Sequence, residues 1–247
     1  ALIYYRAHHT EAKATPVVFI HGAGGSHDTW RHQFDLLPSH PTYFLDLPGH
    51  GQSAGPAFSD IAETGNWLRR WITVTLQNRS VILVGHSMGG AIAQWMALNA
   101  SETIQAIVLV TTGARLKVNP AFLAQLEQGI YDPERIRLSF SPHTDEAVIQ
   151  EEIERRKDSL PVEIIFKDFV ACNNFDVRND ISRITCPTLI IAGEDDQMTP
   201  PFFSTYMAEH IPNAKLAIVP KAGHYVMLEQ TERFNQELKT FIERLES

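Results

Sequence analysis

Short, continuous apolar runs recur along the chain and predict its framework. A continuous run, unlike an alternation of apolar and polar residues, is the pattern of a strand buried on both faces. The segments between the runs have helical periodicity, and strands that alternate with helices are typical of an α/β fold with a mostly parallel central sheet flanked by helices. The predicted strands are 17–20, 42–45, 81–84, 107–110, 188–191 and 216–219.

Two helices of this framework follow from apolar residues spaced three and four apart. Near the end of the chain, the apolar residues from Phe234 to Leu245 form one stripe and predict a helix from residue 230 onwards. A second stripe predicts a helix over 59–77, with Ser59 as its N-cap. Both helices are amphipathic, so we expect each to cover the sheet with its apolar face.

The stretch 113–180 interrupts the alternation of strands and helices. It contains no run of the strand type, yet it is too long and too apolar for an ordinary loop. Asn119 and Asp132 each precede a proline, and Thr144 precedes two acidic residues, so helices are expected to start at these points. After Pro161, apolar residues again follow a helical period.

The predicted domain organisation is one core with one insertion. Residues 1–112 and 181–247 are expected to form the α/β core, and 113–180 a helical lid inserted after the fourth predicted strand. Such an insertion lies over the carboxyl ends of the strands, where open α/β sheets bind ligands.

Charge and hydropathy exclude several partners. The formal net charge of −8 argues against a nucleic-acid partner, which requires clustered Lys and Arg, and the basic groups at 69–70 and 155–157 are interpreted as solvated helix faces. No apolar run approaches the roughly 18 residues of a membrane span, so no integral membrane association is expected. No secretory signal is visible, which favours a cytoplasmic location, with a removed signal as the open alternative. The sequence leaves the oligomeric state open.

Candidate chemistry begins with Gly-His-Ser-Met-Gly at 85–89. The segment matches G-x-S-x-G, follows a predicted buried strand and opens a helical run, which is the context of a nucleophile on a sharp strand-to-helix turn. The flanking glycines allow strand and helix to approach closely. Ser87 is therefore the candidate nucleophile, and the backbone N–H of Met88 is expected to point to the same place.

A serine hydroxyl needs a base that takes its proton, and the base is best oriented by a carboxylate. His224 follows the last predicted strand and is the candidate base. Asp195 and Asp196 follow the strand at 188–191, and the residues alone leave both as candidate acids. The chain order Ser, Asp, His is the order of one particular class of serine hydrolase.

Other candidates have structural interpretations. His21, His50 and His86 belong to turn motifs, where hydrogen bonding within loops is expected, and Asp46 precedes the serine and is interpreted as fixing a turn. The glycines at 22–25 do not complete a dinucleotide-binding fingerprint, and phosphate-loop and zincin motifs are absent from the sequence.

Several motifs stand in order along the chain: HGAGG at 21–25, DLPGHGQS at 46–53, GHSMGG at 85–90, PTLIIAGEDDQMTP at 187–200 and AGH at 222–224. Together they resemble the α/β-hydrolase family, in its lid-bearing esterase, lipase and lactonase branch. The resemblance implies that the acid stands three residues after the glycine of a G-x-x-D-x-x-x-P pattern, which selects Asp196 over Asp195. It also implies that the N–H of Ala23 joins that of Met88 in an oxyanion hole.

The expected function is a serine hydrolase that cleaves small to medium, moderately hydrophobic carboxylic esters through an acyl-enzyme, without a cofactor or metal. The same triad serves enol-lactones, thioesters and carbon–carbon bonds, and the same fold can act as a ligand receptor, so these alternatives stay open. The apolar residues expected to make the pocket hydrophobic are Phe122, Leu123, Leu126, Ile130, Phe166 and Phe169.

Overall fold

The computed structural model describes residues 2–157 and 159–246. Its strands are β1 (Tyr5–His8), β2 (Val17–Ile20), β3 (Thr42–Leu45), β4 (Val81–His86), β5 (Ile104–Val110), β6 (Thr188–Gly193) and β7 (Ala214–Val219). In the described part of the chain they form a seven-stranded sheet in the order β1-β3-β2-β4-β5-β6-β7. Neighbouring strands are parallel except for β1, which pairs antiparallel with β3.

The six predicted runs are confirmed as strands, and the differences lie at the two edges of the sheet. β1 falls outside the predicted runs because its sequence, Tyr-Arg-Ala-His, is short and largely polar, as edge strands commonly are. The expectation of burial on both faces is wrong for 216–219. Leu216 and Ile218 are 36% and 44% exposed, because β7 is the opposite edge strand and one of its faces meets solvent.

Helices cover both faces of the sheet. They are α1 (Ile61–Thr75), α2 (Met88–Asn99), α3 (Pro120–Glu127), α4 (Glu146–Arg156), α5 (Val162–Asn174), α6 (Pro201–His210), α7 (Val226–Glu229) and α8 (Thr231–Glu246). Because side chains alternate along a strand, Val18 belongs to an apolar core that also contains residues of α1, α2 and α6, whereas Val17 belongs to a core that contains residues of α7 and α8. The sheet therefore separates two apolar cores.

The two helices predicted by period are confirmed, with one corrected cap. Phe234 and Leu238 of α8 are fully buried, as the stripe indicates. The N-cap of α1 is Asp60 and not Ser59, because the carboxylate of Asp60 accepts hydrogen bonds from the N–H groups of Ala62 and Glu63. A carboxylate that reaches two free amides of the first turn satisfies more donors than a hydroxyl one residue earlier.

The insertion, residues 113–180 between β5 and β6, contains α3, α4 and α5 and a 3₁₀ helix at Pro133–Ser139. Asn119 and Asp132 cap helices as predicted. The third start is one residue later than predicted, because Asp145 caps α4 while the hydroxyl of Thr144 donates to Glu229. The role of the insertion as a lid remains a proposal.

The described part of the chain contains no candidate transmembrane helix. None of the described helices combines the length and the hydropathy that a bilayer crossing requires.

Candidate active site

Ser87 lies on the turn between β4 and α2. Its backbone φ of 52° is in the left-handed region, which is strained for a residue other than glycine. A Cβ atom at Gly85 would lie 2.2 Å from the carbonyl oxygen of Gly89, so the strand and the helix approach each other only because this position is glycine. The turn thus places Ser87 at the carboxyl edge of the sheet.

His224 and Asp196 come together from two different loops, which follow β7 and β6. Nδ1 of His224 lies 2.9 Å from Oδ2 of Asp196, and both side chains are buried. A carboxylate accepts, so Nδ1 carries the hydrogen and Nε2 is left free to take a proton. Burial alone would raise the pKa of Asp196, but His224 and the hydrogen bonds from Thr199 outweigh it and hold this pKa below its ordinary value.

Asp195, the alternative acid, faces a different partner. Its carboxylate accepts a hydrogen bond of 2.6 Å from the hydroxyl of Ser141, and its backbone N–H donates to the carbonyl of Ala222. It makes no hydrogen bond to His224 among the contacts of the described residues. The geometry therefore favours Asp196 as the carboxylate that orients the imidazole.

Ser87 and His224 line the same cavity, but their side chains form no hydrogen bond to each other in this structure. Catalytic hydrogen bonds are often long without substrate and tighten when it binds.

The backbone of His224 is held by three hydrogen bonds. Its carbonyl accepts from Nε2 of His86 at 3.0 Å and from the hydroxyl of Thr111 at 2.8 Å, and its N–H donates to Ser139 of the insertion at 2.7 Å. Burial, with electrostatic repulsion from the His224 imidazole as a second cause, lowers the pKa of His86 well below its ordinary value, which favours the neutral form of His86. The expected loop hydrogen bonding of His86 is confirmed, and its partner is the backbone of the candidate base.

Ala23 and Met88 occupy neighbouring segments. A Cβ at Gly89 would lie 2.3 Å from the carbonyl of Ile20, so the first turn of α2 packs directly on the end of β2. Ala23 follows β2 and lines the cavity with Ser87, and Met88 is the first residue of α2 with its side chain buried in the core. The arrangement is compatible with two backbone donors near Ser87, and their role remains a proposal.

The cavity measures about 390 Å³ and lies between the core and the insertion. Of the expected apolar lining, Phe122 and Phe169 contact the cavity, and their rings pack edge to face at 5.0 Å. The expectation is wrong for Ile130, which is 54% exposed on the surface, and for Leu126, which is buried away from the cavity. Leu123 and Phe166 do not line it in the described part of the chain either.

Arg156 also lines the cavity, so its interpretation as part of a solvated helix face is wrong. Its side chain is only 9% exposed, whereas Arg155 is exposed as expected. The sequence carries a signal for this: Ile149, Ile153 and Arg156 are spaced four and three apart, which places all of them on the buried stripe of α4. The expected ion pair between Glu152 and Arg156 is present at 3.2 Å, but forming this pair does not require either side chain to be exposed to solvent.

Asp168, on α5, forms a buried pair with His50 that the sequence did not indicate. Its Oδ2 accepts from Nε2 of His50 and from the N–H of Gly24, both at 2.8 Å. Burial alone would lower the pKa of His50, but the charge of Asp168 outweighs it, so this pKa is raised above its ordinary value of 6.5. The pair ties the insertion to the loop that carries Ala23.

Replacing Asp168 with asparagine should lower the free energy of unfolding by about 1 to 3 kcal/mol. A raised folded-state pKa means that the stabilisation from His50 is complete below pH 6.5 and is lost as the pH rises through that pKa. The variant should lack this loss. Thermal unfolding from about pH 5.5 to 8.5 checks it, with a His50→Gln and double-variant cycle to isolate the pair. Parallel pH profiles for the wild type and the variant would contradict the assignment.

Metal-ligating side chains gather away from this cavity. In the described part of the chain, His8, His9 and Asp35 place three possible ligand atoms within 4.8 Å of one another. None of these residues lines the cavity.

Comparisons with known proteins agree with this architecture. A model of the alpha/beta hydrolase family matches residues 17–237. The chain is 25% identical to a pimeloyl-[acyl-carrier protein] methyl ester esterase of Neisseria meningitidis, over 92% of this chain and 93% of that protein. It is 26% identical to an (E)-2-((N-methylformamido)methylene)succinate hydrolase of Acinetobacter baylyi, over 96% and 94%. A solved thermophilic esterase superposes with a TM-score of 0.82 at 29% identity and covers 99% of each chain.

Proposed function

Because this chain belongs to the alpha/beta hydrolase family, we propose that it is a serine hydrolase that cleaves small to medium, moderately hydrophobic carboxylic esters through an acyl-enzyme. The proposal depends chiefly on one observation. Ser87 shares a cavity with His224, whose imidazole is paired with the buried carboxylate of Asp196 at 2.9 Å. Similarity to proteins named as esterases supports hydrolysis of an ester.

In the first half-reaction, the hydroxyl of Ser87 attacks the ester carbonyl while Nε2 of His224 takes its proton. Asp196 keeps the hydrogen on Nδ1 and stabilises the positive charge that forms on the imidazole. The N–H groups of Ala23 and Met88 donate to the oxyanion, and loss of one such donor typically costs about 2.7 to 4 kcal/mol in the transition state. His224 then protonates the departing alcohol, which leaves the acyl group on Ser87.

In the second half-reaction, His224 takes a proton from water, and the water attacks the acyl carbonyl. The tetrahedral intermediate collapses, Ser87 recovers its proton from the imidazolium, and the carboxylic acid leaves. Every proton passes through Nε2 of His224, so the sequence of steps depends on a neutral imidazole at the start of each half-reaction. The insertion closes over this cavity as a lid and supplies apolar contacts for the substrate.

A covalent trap tests the nucleophile directly. A fluorophosphonate should modify the protein once, and fragmentation of the labelled peptide should place the phosphonyl group on Ser87, because only an activated serine attacks phosphorus readily. Intact-mass spectrometry follows the addition. Ser80, an exposed serine before β4, is the matched control, and its alanine variant should label as the wild type does. Labelling that persists in Ser87→Ala would remove Ser87 from the mechanism.

A substrate panel tests the reaction class. Ethyl and 4-nitrophenyl esters, thioesters and lactones should be assayed with the wild type and with Ser87→Ala. Turnover of esters above lactones and thioesters supports the proposal. A binder without turnover of any of these compounds would instead be a ligand receptor.

A further inference from the structure

The cavity that Ser87 and His224 share has an unusual charge for this chain. The protein carries 29 acidic and 21 basic residues, for a formal net charge of −8. The charged side chains that line the cavity in the described part of the chain are nevertheless Lys117, Arg135 and Arg156, without an Asp or Glu among them. A cavity that is positive inside a negative protein attracts and retains anions.

Arg156 is the buried member of this set. Its Nη1 donates to the carbonyl of Gly24 at 3.2 Å, and its Nη2 donates to the hydroxyl of Tyr225 at 2.9 Å. These partners are the immediate neighbours of Ala23 and His224. The guanidinium therefore lies on the wall of the cavity next to both the loop that carries Ala23 and the candidate base His224.

The hydrogen-bonding capacity of Arg156 is not exhausted by the protein. A guanidinium has five N–H donors, and three of them are used, by Glu152, Gly24 and Tyr225. The charge of Glu152 is itself shared, because its second oxygen accepts from Arg31 at 3.1 Å. Both Nη atoms retain a donor, and a planar fork of this kind matches a carboxylate.

Lys117 and Arg135 differ from Arg156 in being exposed. The guanidinium of Arg135 lies over the ring of Phe122 at 4.4 Å, which holds the charge at the edge of the cavity beside an apolar wall. Neither cation forms an ion pair among the contacts of the described residues. Lys117 and Arg135 are placed to attract an anion at the entrance of the cavity, and Arg156 is placed to bind the anion inside it.

We propose that Arg156, assisted by Lys117 and Arg135, selects esters that carry a second, free carboxylate, namely half-esters of short dicarboxylic acids. The inference rests on the proposed ester hydrolysis and adds the substrate class. Short acids are favoured because Gly24 and Tyr225, which Arg156 contacts, adjoin Ala23 and His224 in the chain. The free carboxylate then lies a few bonds from the carbonyl that Ser87 attacks, while the apolar wall accommodates the alcohol.

The first measurement compares two esters of matched shape with the wild type. Monoethyl succinate carries the carboxylate, and ethyl 4-methylpentanoate replaces it with a neutral isopropyl group of similar size. A charge-assisted bidentate contact should raise kcat/KM for monoethyl succinate about tenfold to a hundredfold, mostly through KM. Proton release in a pH-stat follows both reactions, and added salt should reduce the preference.

The second measurement identifies the residue. Arg156→Gln should remove most of the preference for monoethyl succinate, and Arg156→Lys should restore part of it. Arg155→Gln is the matched control, since Arg155 lies on the same helix but pairs with Glu151 and Asp28 outside this cavity. If Arg156→Gln folds poorly, the surface variant Lys117→Gln/Arg135→Gln still tests the proposal, because it should weaken the preference and its salt dependence.

Calorimetry of succinate binding distinguishes failure of the inferred substrate class from failure of the proposed ester hydrolysis. Equal kcat/KM values for both esters, or a preference that survives Arg156→Gln, would overturn the inference and leave ester hydrolysis standing. If neither ester is cleaved but succinate binds the wild type and not Arg156→Gln, ester hydrolysis fails and the carboxylate site stands. Absence of both cleavage and succinate binding would overturn the two together.

Discussion

Replacing Ser87 with alanine should lower kcat for 4-nitrophenyl butyrate about a millionfold, to the level set by binding alone. In the proposed mechanism, the alanine removes the atom that attacks the carbonyl. The fold should persist, because the side chain of Ser87 makes no hydrogen bond to a protein group in the described structure. Alanine also inherits the positive φ of 52° and hence the same backbone strain.

The matched variant for this experiment is Ser87→Gly. Glycine adopts a positive φ without strain, so it should be equally inactive and more stable than Ser87→Ala by about 1 kcal/mol. Thermal unfolding measures the stability, and the burst of 4-nitrophenolate measures the acyl-enzyme. Activity above about one per cent of the wild type in both variants, well above the binding-only level, would exclude a serine acyl-enzyme at residue 87.

Two opposite charges of the insertion contact the loop that carries Ala23 and Gly24. The carboxylate of Asp168 accepts from the N–H of Gly24, and the guanidinium of Arg156 donates to the carbonyl of Gly24. Gly24 has a positive φ of 65°, so its peptide groups turn toward the insertion and not back into the sheet. A movement of α4 or α5 is therefore expected to displace Gly24, the residue beside Ala23. These two contacts connect the proposed lid to the proposed oxyanion donor Ala23.

The central strands and the serine turn could be predicted because each is encoded locally. The continuous run before Gly85 is typical of a strand buried on both faces, and the glycines at 85 and 89 are needed for the close packing that the structure has. β1 could not be predicted in this way, since a polar edge strand lacks a hydrophobic pattern and depends on pairing with β3. Local patterns identify elements whose apolar residues follow a regular spacing or a continuous run.

The buried charges of the insertion follow from tertiary packing. An i,i+4 pair such as Glu152–Arg156 is usually a sign of a solvated helix face, and sequence spacing does not report that Tyr225 and Gly24 lie against it. Asp168 likewise meets His50 across 118 positions of the chain. The choice between Asp195 and Asp196 depended on a family pattern, because neighbouring carboxylates after one strand are equivalent until their side-chain directions are known.

Because the side chains of Asp195 and Asp196 point to different partners, their asparagine variants can be compared directly. Asp196→Asn keeps the shape of the side chain but replaces one acceptor oxygen with a donor. Its oxygens now accept from His224, Thr199 and the N–H of Met198, so an NH₂ group must face at least one donor. Asp195→Asn keeps an oxygen for the hydroxyl of Ser141, its partner at 2.6 Å.

Asp196→Asn should therefore lower kcat for 4-nitrophenyl butyrate about ten-thousandfold, since an amide favours the wrong tautomer of His224 and cannot stabilise its charge. Asp195→Asn should stay within about threefold of the wild type, because its carboxylate contacts no reacting group and a neutral hydrogen bond replaces a charged one. KM should change little in either variant. The pH dependence of kcat/KM, measured on both, reports whether the imidazole still titrates as the base. If Asp195→Asn lost more activity than Asp196→Asn, the orienting carboxylate would be residue 195, and the contact at 2.9 Å between Asp196 and His224 would be structural only.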